Sequence, residues 1–154
     1  MVQQIKDVLK NSKTVAMVGV SSLKKKEDPK NLKRKPSTIV MKYMQDFGYK
    51  VIPVNPFAIG ELIHGETVVA SLKDINISID IVNVFRPSKE IPNIAEQAIN
   101  IGAKTLWLQY GIQHEDVKKI VTEANMNYFE NLCIKQEYQK IFLNMSPVFP
   151  VLKS

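Results

Sequence analysis

Two hydrophobic patterns alternate along the chain. Residues 14–20, Thr-Val-Ala-Met-Val-Gly-Val, form an almost unbroken apolar run around a glycine. Such a run is expected of a strand buried on both faces. Residues 49–54, 79–85 and 105–109 repeat it, and 127–130 form a shorter fifth copy. The intervening segments place apolar residues at helical spacing. Val2, Ile5, Val8 and Leu9 predict a helix over 2–11, and Ile91, Ile94, Ala95, Ala98 and Ile99 predict one over 87–101. Further helices are expected over 38–47, 114–124 and 133–142. Ser37 suits the N-cap of the 38–47 helix, after a proline that discourages helix before it, and Gly48 suits its C′ position. Gly102 ends the 87–101 helix in the same way. Residues 57–70 are ambiguous: Glu61-Leu62-Ile63 and Thr67-Val68-Val69 read as short extended pieces around Gly65. Residues 71–75 suit one helical turn, and the two-proline tail over 143–154 suits an extended run.

Strands alternating with helices at short spacing imply parallel βαβ units. With right-handed crossovers these build an α/β fold: a three-layer, Rossmann-like, doubly wound and mainly parallel five-stranded sheet. The expectation is a single domain over 1–154 with its core over about 13–142. Ligands in such sheets bind outside the carboxyl ends of the strands, near the point where strand order reverses. Function therefore depends on which residues stand at those ends.

Composition narrows the class. The 45% hydrophobic and 23% charged content is that of a soluble globular chain, and no apolar run approaches the ~20 residues of a membrane span. The first ten residues lack the long apolar stretch and small-residue cleavage site of a secretory signal. Cys133 is the one cysteine, so no internal disulfide forms, and a reducing, cytoplasmic setting is expected. The net charge of +6 suggests nucleic-acid binding until its distribution is read. Seven basic residues between Lys24 and Lys35, against Glu27 and Asp28, carry five of the six charges. The positive charge is one segment, and it suits a small polyphosphate as well as a nucleic-acid backbone. No aromatic residue interleaves those lysines, which argues against the stacking platform of a single-strand binder.

The strand ends carry polar and glycine-containing sequences. The first is Gly19-Val20-Ser21-Ser22, whose hydroxyls and N–H groups can receive a phosphate. It opens a loop of roughly fifteen residues, well beyond the usual two to six, and that loop is the basic segment reaching Lys35 and Ser37. A dinucleotide fingerprint would need G-x-G-x-x-G, but no glycine follows Gly19 before Gly48. The second end, Pro53-Val54-Asn55-Pro56, holds Asn55 where a dinucleotide site would hold an acidic residue. Both features count against NAD. Val84, Phe85 and Arg86 close the third strand, and Arg86 offers planar donors to a phosphate. Leu108, Gln109 and Tyr110 close the fourth, ahead of Gly111.

Taken together, Val18-Gly19-Val20-Ser21, Lys35-Pro36-Ser37, Gly48-Tyr49-Lys50-Val51-Ile52-Pro53-Val54-Asn55-Pro56, Phe85-Arg86, Leu106-Trp107-Leu108-Gln109-Tyr110-Gly111 and Cys133 resemble a known family. It is the family of small CoA-binding proteins related to the N-terminal, CoA-binding domain of the succinyl-CoA synthetase α subunit. The resemblance runs from about residue 13 to 142. It implies a Rossmann-like fold with coenzyme A or an acyl-CoA across the strand ends. The implied contacts are Gly19, Val20, Ser21, Ser22, Asn55, Val84, Phe85, Arg86, Leu108, Gln109 and Tyr110. Lys35, Ser37 and Pro53 join them as candidates from the basic loop and the second strand end.

No catalytic group is legible. His64 reads as a turn residue and His114 as a surface or capping residue at a helix start. Cys133 has no legible histidine partner, the carboxylates form no readable pair, and no metal-ligand spacing occurs. A CoA-binding protein without catalysis of its own is the first expectation. The alternative is an enzyme component, either an acyl-CoA ligase-like subunit needing a partner chain or an NAD(P)-dependent oxidoreductase. A small-molecule nucleotide ligand is expected, with no membrane, and a protein partner or homo-oligomer is left open.

Overall fold

The structure, a computed structural model, describes residues 1–24 and 36–144. Five strands form the central sheet: β1 (Thr14–Val18), β2 (Lys50–Val54), β5 (Ile81–Val84), β6 (Thr105–Leu108) and β7 (Asn127–Phe129). Their order is β2-β1-β5-β6-β7, and every neighbouring pair is parallel. Two short strands, β3 (Leu62–Ile63) and β4 (Glu66–Thr67), make a separate hairpin. His64 and Gly65 turn it with φ of 47° and 83°, the positive values that a two-residue hairpin turn needs. This resolves the ambiguous stretch over 57–70.

Helices α1 (Val2–Asn11), α2 (Pro36–Asp46) and α5 (Ile134–Phe142) cover one face of the sheet, and α3 (Ile91–Asn100) and α4 (Glu115–Glu123) cover the other. The strand alternation serves both layers. Val15 and Met17 point to the α1–α2–α5 side, and Ala16 and Val18 to the α3–α4 side. The chain is therefore the expected three-layer, Rossmann-like α/β fold. β1, β5 and β6 have apolar neighbours on both faces, which is why they read as unbroken runs.

Pro53 sits inside β2, which is an edge strand. Val54 O accepts from Gly19 N and Lys50 N donates to Lys13 O, so even-numbered residues of β2 face β1. Pro53 faces the outer edge, where its missing N–H costs no ladder bond. Its carbonyl accepts from Val69 N there at 3.1 Å. Trp107, fully buried, donates from Nε1 to Leu132 O at 2.8 Å and packs edge-on against Phe129. It ties β6 to the segment that leads into α5.

Two expectations need correction. α2 begins at Pro36, so Ser37 lies in the first turn and is not the N-cap. Proline is favoured at a first helical position because that N–H has no intrahelical partner anyway. Asp80, expected within the third strand, precedes β5. The Gly48 expectation holds: Gly48 N bonds to Gln45 O and Tyr49 N to Met44 O, the two reverse bonds of a Schellman end. The expected extended tail, from residue 145 on, lies outside the described residues. Among the described residues, no helix is long and apolar enough to cross a membrane.

Asp80 pins the start of β1 beside that of β5. Its Oδ2 accepts from Lys13 N at 2.7 Å and Thr14 N at 3.2 Å, and Lys104 Nζ stands 3.5 Å from Oδ1. Burial pushes the Asp80 carboxyl up, but the two N–H donors and the Lys104 ammonium outweigh it and hold the group below its ordinary value. Such a carboxyl stabilises the fold above its unfolded pKa and loses that contribution as pH falls through the folded one. Asp80→Asn is predicted to cost about 1–3 kcal/mol at neutral pH. The gap to the wild type should close as pH falls below about 3.9. Thermal melts of both proteins across that range check it.

Candidate functional site

All five parallel strands end on the same side, and β1 ends there between β2 and β5. Gly19 follows β1 directly with φ +96°. Its N–H donates to Val54 O at 2.8 Å. A Cβ on Gly19 would lie 2.8 Å from the Phe85 carbonyl oxygen and 2.7 Å from Arg86 Cδ. Both the turn and the close approach require glycine, and they set the backbones of β1 and β5 side by side at the rim.

Beyond Gly19 the loop is held by side chains from three elements. Asn55 Nδ2 donates to Val20 O at 2.9 Å, while Asn55 Oδ1 accepts from Phe57 N at 2.8 Å. The Asn55 side chain thus fastens the second strand end to the first loop. Ser37 Oγ, buried in the first turn of α2, accepts from Ser21 N at 3.0 Å. Glu61, next to the β3–β4 hairpin, supplies the third hold. Its Oε2 accepts from Ser22 Oγ at 2.6 Å, and its Oε1 accepts from Leu23 N at 2.8 Å and Lys24 N at 3.0 Å. The Ser22 hydroxyl, with the two N–H donors, outweighs burial and holds the Glu61 carboxyl below its ordinary value. A buried carboxylate thereby clamps the residues that lead into the basic segment.

Two cavities flank the rim. The one on the α3 side, about 130 Å³, is lined by Gly19, Asn55, Arg86 and the first two turns of α3, among others. The one on the α5 side, about 600 Å³, is lined by Pro36, Phe85, Gln109, Tyr110, Ile112, Cys133 and Gln136. Arg86 Nε and Nη2 both bond to Glu90, at 3.1 and 2.7 Å, on the rim of the first cavity. Hydrogen bonding to Glu90 raises the Arg86 pKa and lowers that of Glu90. Gln109 Oε1 accepts from Ile134 N at 3.4 Å and Asn83 Nδ2 at 3.5 Å, so this side chain sits at the start of α5. Cys133 is the half-buried residue just ahead of that helix.

The candidate residues thus separate by position. Gly19, Asn55 and Arg86 border the α3-side cavity, and Phe85, Gln109 and Tyr110 border the α5-side one. Ser21, Ser22 and Ser37 form the frame of the loop between them. Val20, Pro53, Val84 and Leu108 are buried and line neither cavity. The Val84 and Leu108 carbonyls already accept from Gln109 N and Leu132 N. Lys35 and the rest of 25–35 lie outside the described residues. His114 is the N-cap of α4, accepting from Val117 N through Nδ1, as its position at a helix start suggested. Sequence reasoning missed Glu61, Glu90, Asn93 and Gln97. Glu61 fell in the stretch whose pattern was ambiguous, and the other three looked like the polar face of an ordinary helix.

A model of the CoA binding domain family matches residues 13–139. The chain belongs to that family. The Bacillus subtilis protein YneT, described as uncharacterized, is 39% identical over 132 residues, covering 86% of this chain and 90% of its own. Among solved structures, cell-free ID.343 of Thermus thermophilus superposes with a TM-score of 0.80 at 32% identity, covering 92% of this chain and 99% of that one. The dinucleotide forming acetyl-coenzyme A synthetase 1 of Ca. Korarchaeum cryptofilum shares the fold at a TM-score of 0.57 and 18% identity. There the match covers 77% of this chain and 25% of that one.

The clamp predicts a local effect. Glu61→Ala removes the carboxylate acceptor of the Leu23 amide and leaves the Lys24 amide only Ser22 Oγ at 3.2 Å, so hydrogen exchange at Leu23 should quicken by about tenfold or more, while the amides of β1 keep their protection. Gly19→Ala forces a side chain into a positive-φ position against backbone, and is predicted to cost about 1–3 kcal/mol in denaturant unfolding.

Proposed function

We propose that this protein holds coenzyme A, or an acyl-CoA, across the carboxyl ends of its central strands, without catalysis of its own. The observation that carries this reading is the pair of cavities on either side of the Gly19 turn, with the root of a lysine-rich segment fastened between them. An elongated ligand with a polyphosphate at its middle suits that layout. Its charged centre would meet the Gly19–Ser22 turn and the basic segment, Lys35 included. Its two ends would reach the cavities. Family membership supports the same ligand class.

The candidate residues take distinct roles under this reading. Gly19 gives the phosphates access to backbone. Ser21, Ser22, Ser37 and Asn55 keep the loop in shape. Arg86 lays its stem beside the turn, and its pairing with Glu90 leaves it partly exposed. Phe85 and Tyr110 offer apolar surface to the pantetheine arm, and Gln109 offers polar contacts beside it. Val20, Pro53, Val84 and Leu108 act through the backbone positions they fix. A cytoplasmic setting suits a ligand of this kind.

Calorimetry with CoA, acetyl-CoA, NAD and NADP tests the ligand class. Binding of CoA or acetyl-CoA is expected, and binding of NAD with none of CoA at millimolar concentration would contradict the reading. Arg86→Ala is predicted to weaken CoA about fivefold, the scale of a partly exposed charge contact. A smaller loss with dephospho-CoA would place Arg86 at the 3′-phosphate, and an equal loss would place it at the diphosphate.

A further inference from the structure

At the end of the sheet opposite Gly19, α5 lies against both α1 and α2. Tyr138, in the middle of α5, gathers three further rings around it. Phe47, just past α2, Tyr49, just before β2, and Phe142, at the end of α5, have ring centroids 5.0, 6.1 and 4.8 Å from that of Tyr138. These four rings line a groove of about 280 Å³, which Lys10 and Lys13 also border. The Tyr49 phenol donates to Leu9 O and so fastens one wall of the groove to α1. Phe47 is 39% exposed, which leaves aromatic surface open to solvent. None of these residues stands near the rim that carries the candidate ligand site.

Residues 145–154, which follow α5, read Met-Ser-Pro-Val-Phe-Pro-Val-Leu-Lys-Ser. Half of them are apolar, one of these is aromatic, and none is acidic. Chain that stays in solvent is poor in apolar and aromatic residues, so this composition calls for an apolar partner. Pro147 and Pro150 stand in P-x-x-P spacing. Such a sequence favours the polyproline II helix, in which residues three apart share a face, and aromatic-lined grooves recognise that helix. Groove and segment are also neighbours along the chain, since Phe142, a wall of the groove, precedes residue 145 by three positions. Ten residues of this helix span about 30 Å, so reach is no obstacle. A tether this short gives an effective concentration on the order of millimolar, and weak contacts then suffice. The geometry points to the aromatic groove as the docking site of residues 145–154 of the same chain. Pro147 to Pro150 meet the rings of Phe47, Tyr138 and Phe142. The docked segment joins α1, α2 and α5 at the end of the sheet away from the rim, and the inference does not rest on the coenzyme A reading.

NMR relaxation and methyl shifts of the full chain test it. In the wild type, the amides of Val148, Phe149 and Val151 are expected to show order parameters near the ~0.85 of rigid backbone. The methyl resonances of Val148 or Val151 should be displaced upfield by the neighbouring rings. Phe47→Ala removes a partly exposed ring from the groove, and Phe149→Ala leaves every described residue unchanged. Each substitution is expected to lower the order parameters of 148–151 below ~0.6 and to abolish the upfield shifts, while Val15 and Ile81 keep their values. Wild-type order parameters already below ~0.6 would overturn the docking site. So would high values that neither substitution changes. Order that is lost on dilution, in step with dissociation of a dimer in sedimentation, would overturn docking within one chain and assign the groove to the segment of a second copy.

Discussion

The close approach of Gly19 to the Phe85 carbonyl is the contact on which the rest of the rim depends. β1 runs between β2 and β5, and its chain must leave the sheet where both neighbours also end. A side chain at position 19 would collide with backbone that cannot yield and with the root of Arg86. Without one, the turn tucks against β5, its N–H reaches back to β2, and the loop begins within reach of Asn55, Ser37 and Glu61. One cavity lies on the α3 side of this turn and the other on the α5 side.

The polar side chains around the turn serve mostly to hold backbone in place. Asn55, Ser37 and Glu61 come from three separate elements, and each fastens a different residue of the same loop. Buried polar groups of this kind are costly unless they are paired, and these are paired to backbone N–H and C=O groups of the loop. The result is a fixed base for a strongly basic segment.

The strands and most helices were legible because burial on both faces leaves an unbroken apolar signature, as in Val15 to Val18 and Ile81 to Val84. The helix ends were legible where glycine marks them, as at Gly48. The Ser37 reading failed for a physical reason. Serine suits a cap, but proline suits the first turn equally well, and the helix took Pro36 into it. Glu61 was invisible because its role depends on a hairpin only two residues long on each side and on a loop 37 to 39 positions away. Asn93 and Gln97 were invisible because a solvated helix face and a cavity wall carry the same residue types. Strand ends can be read from a sequence, but which helix faces the opening between them depends on the packing of both layers.

A two-dimensional NMR titration with coenzyme A tests the central claim most directly. The account predicts shifts in the backbone amides of Gly19 to Lys24, Phe85, Arg86, Tyr110 and Gly111, together with the side-chain amides of Asn93 and Gln97. Shifts confined to the opposite end of the sheet, around Leu9, Tyr49 and Phe142, would contradict it.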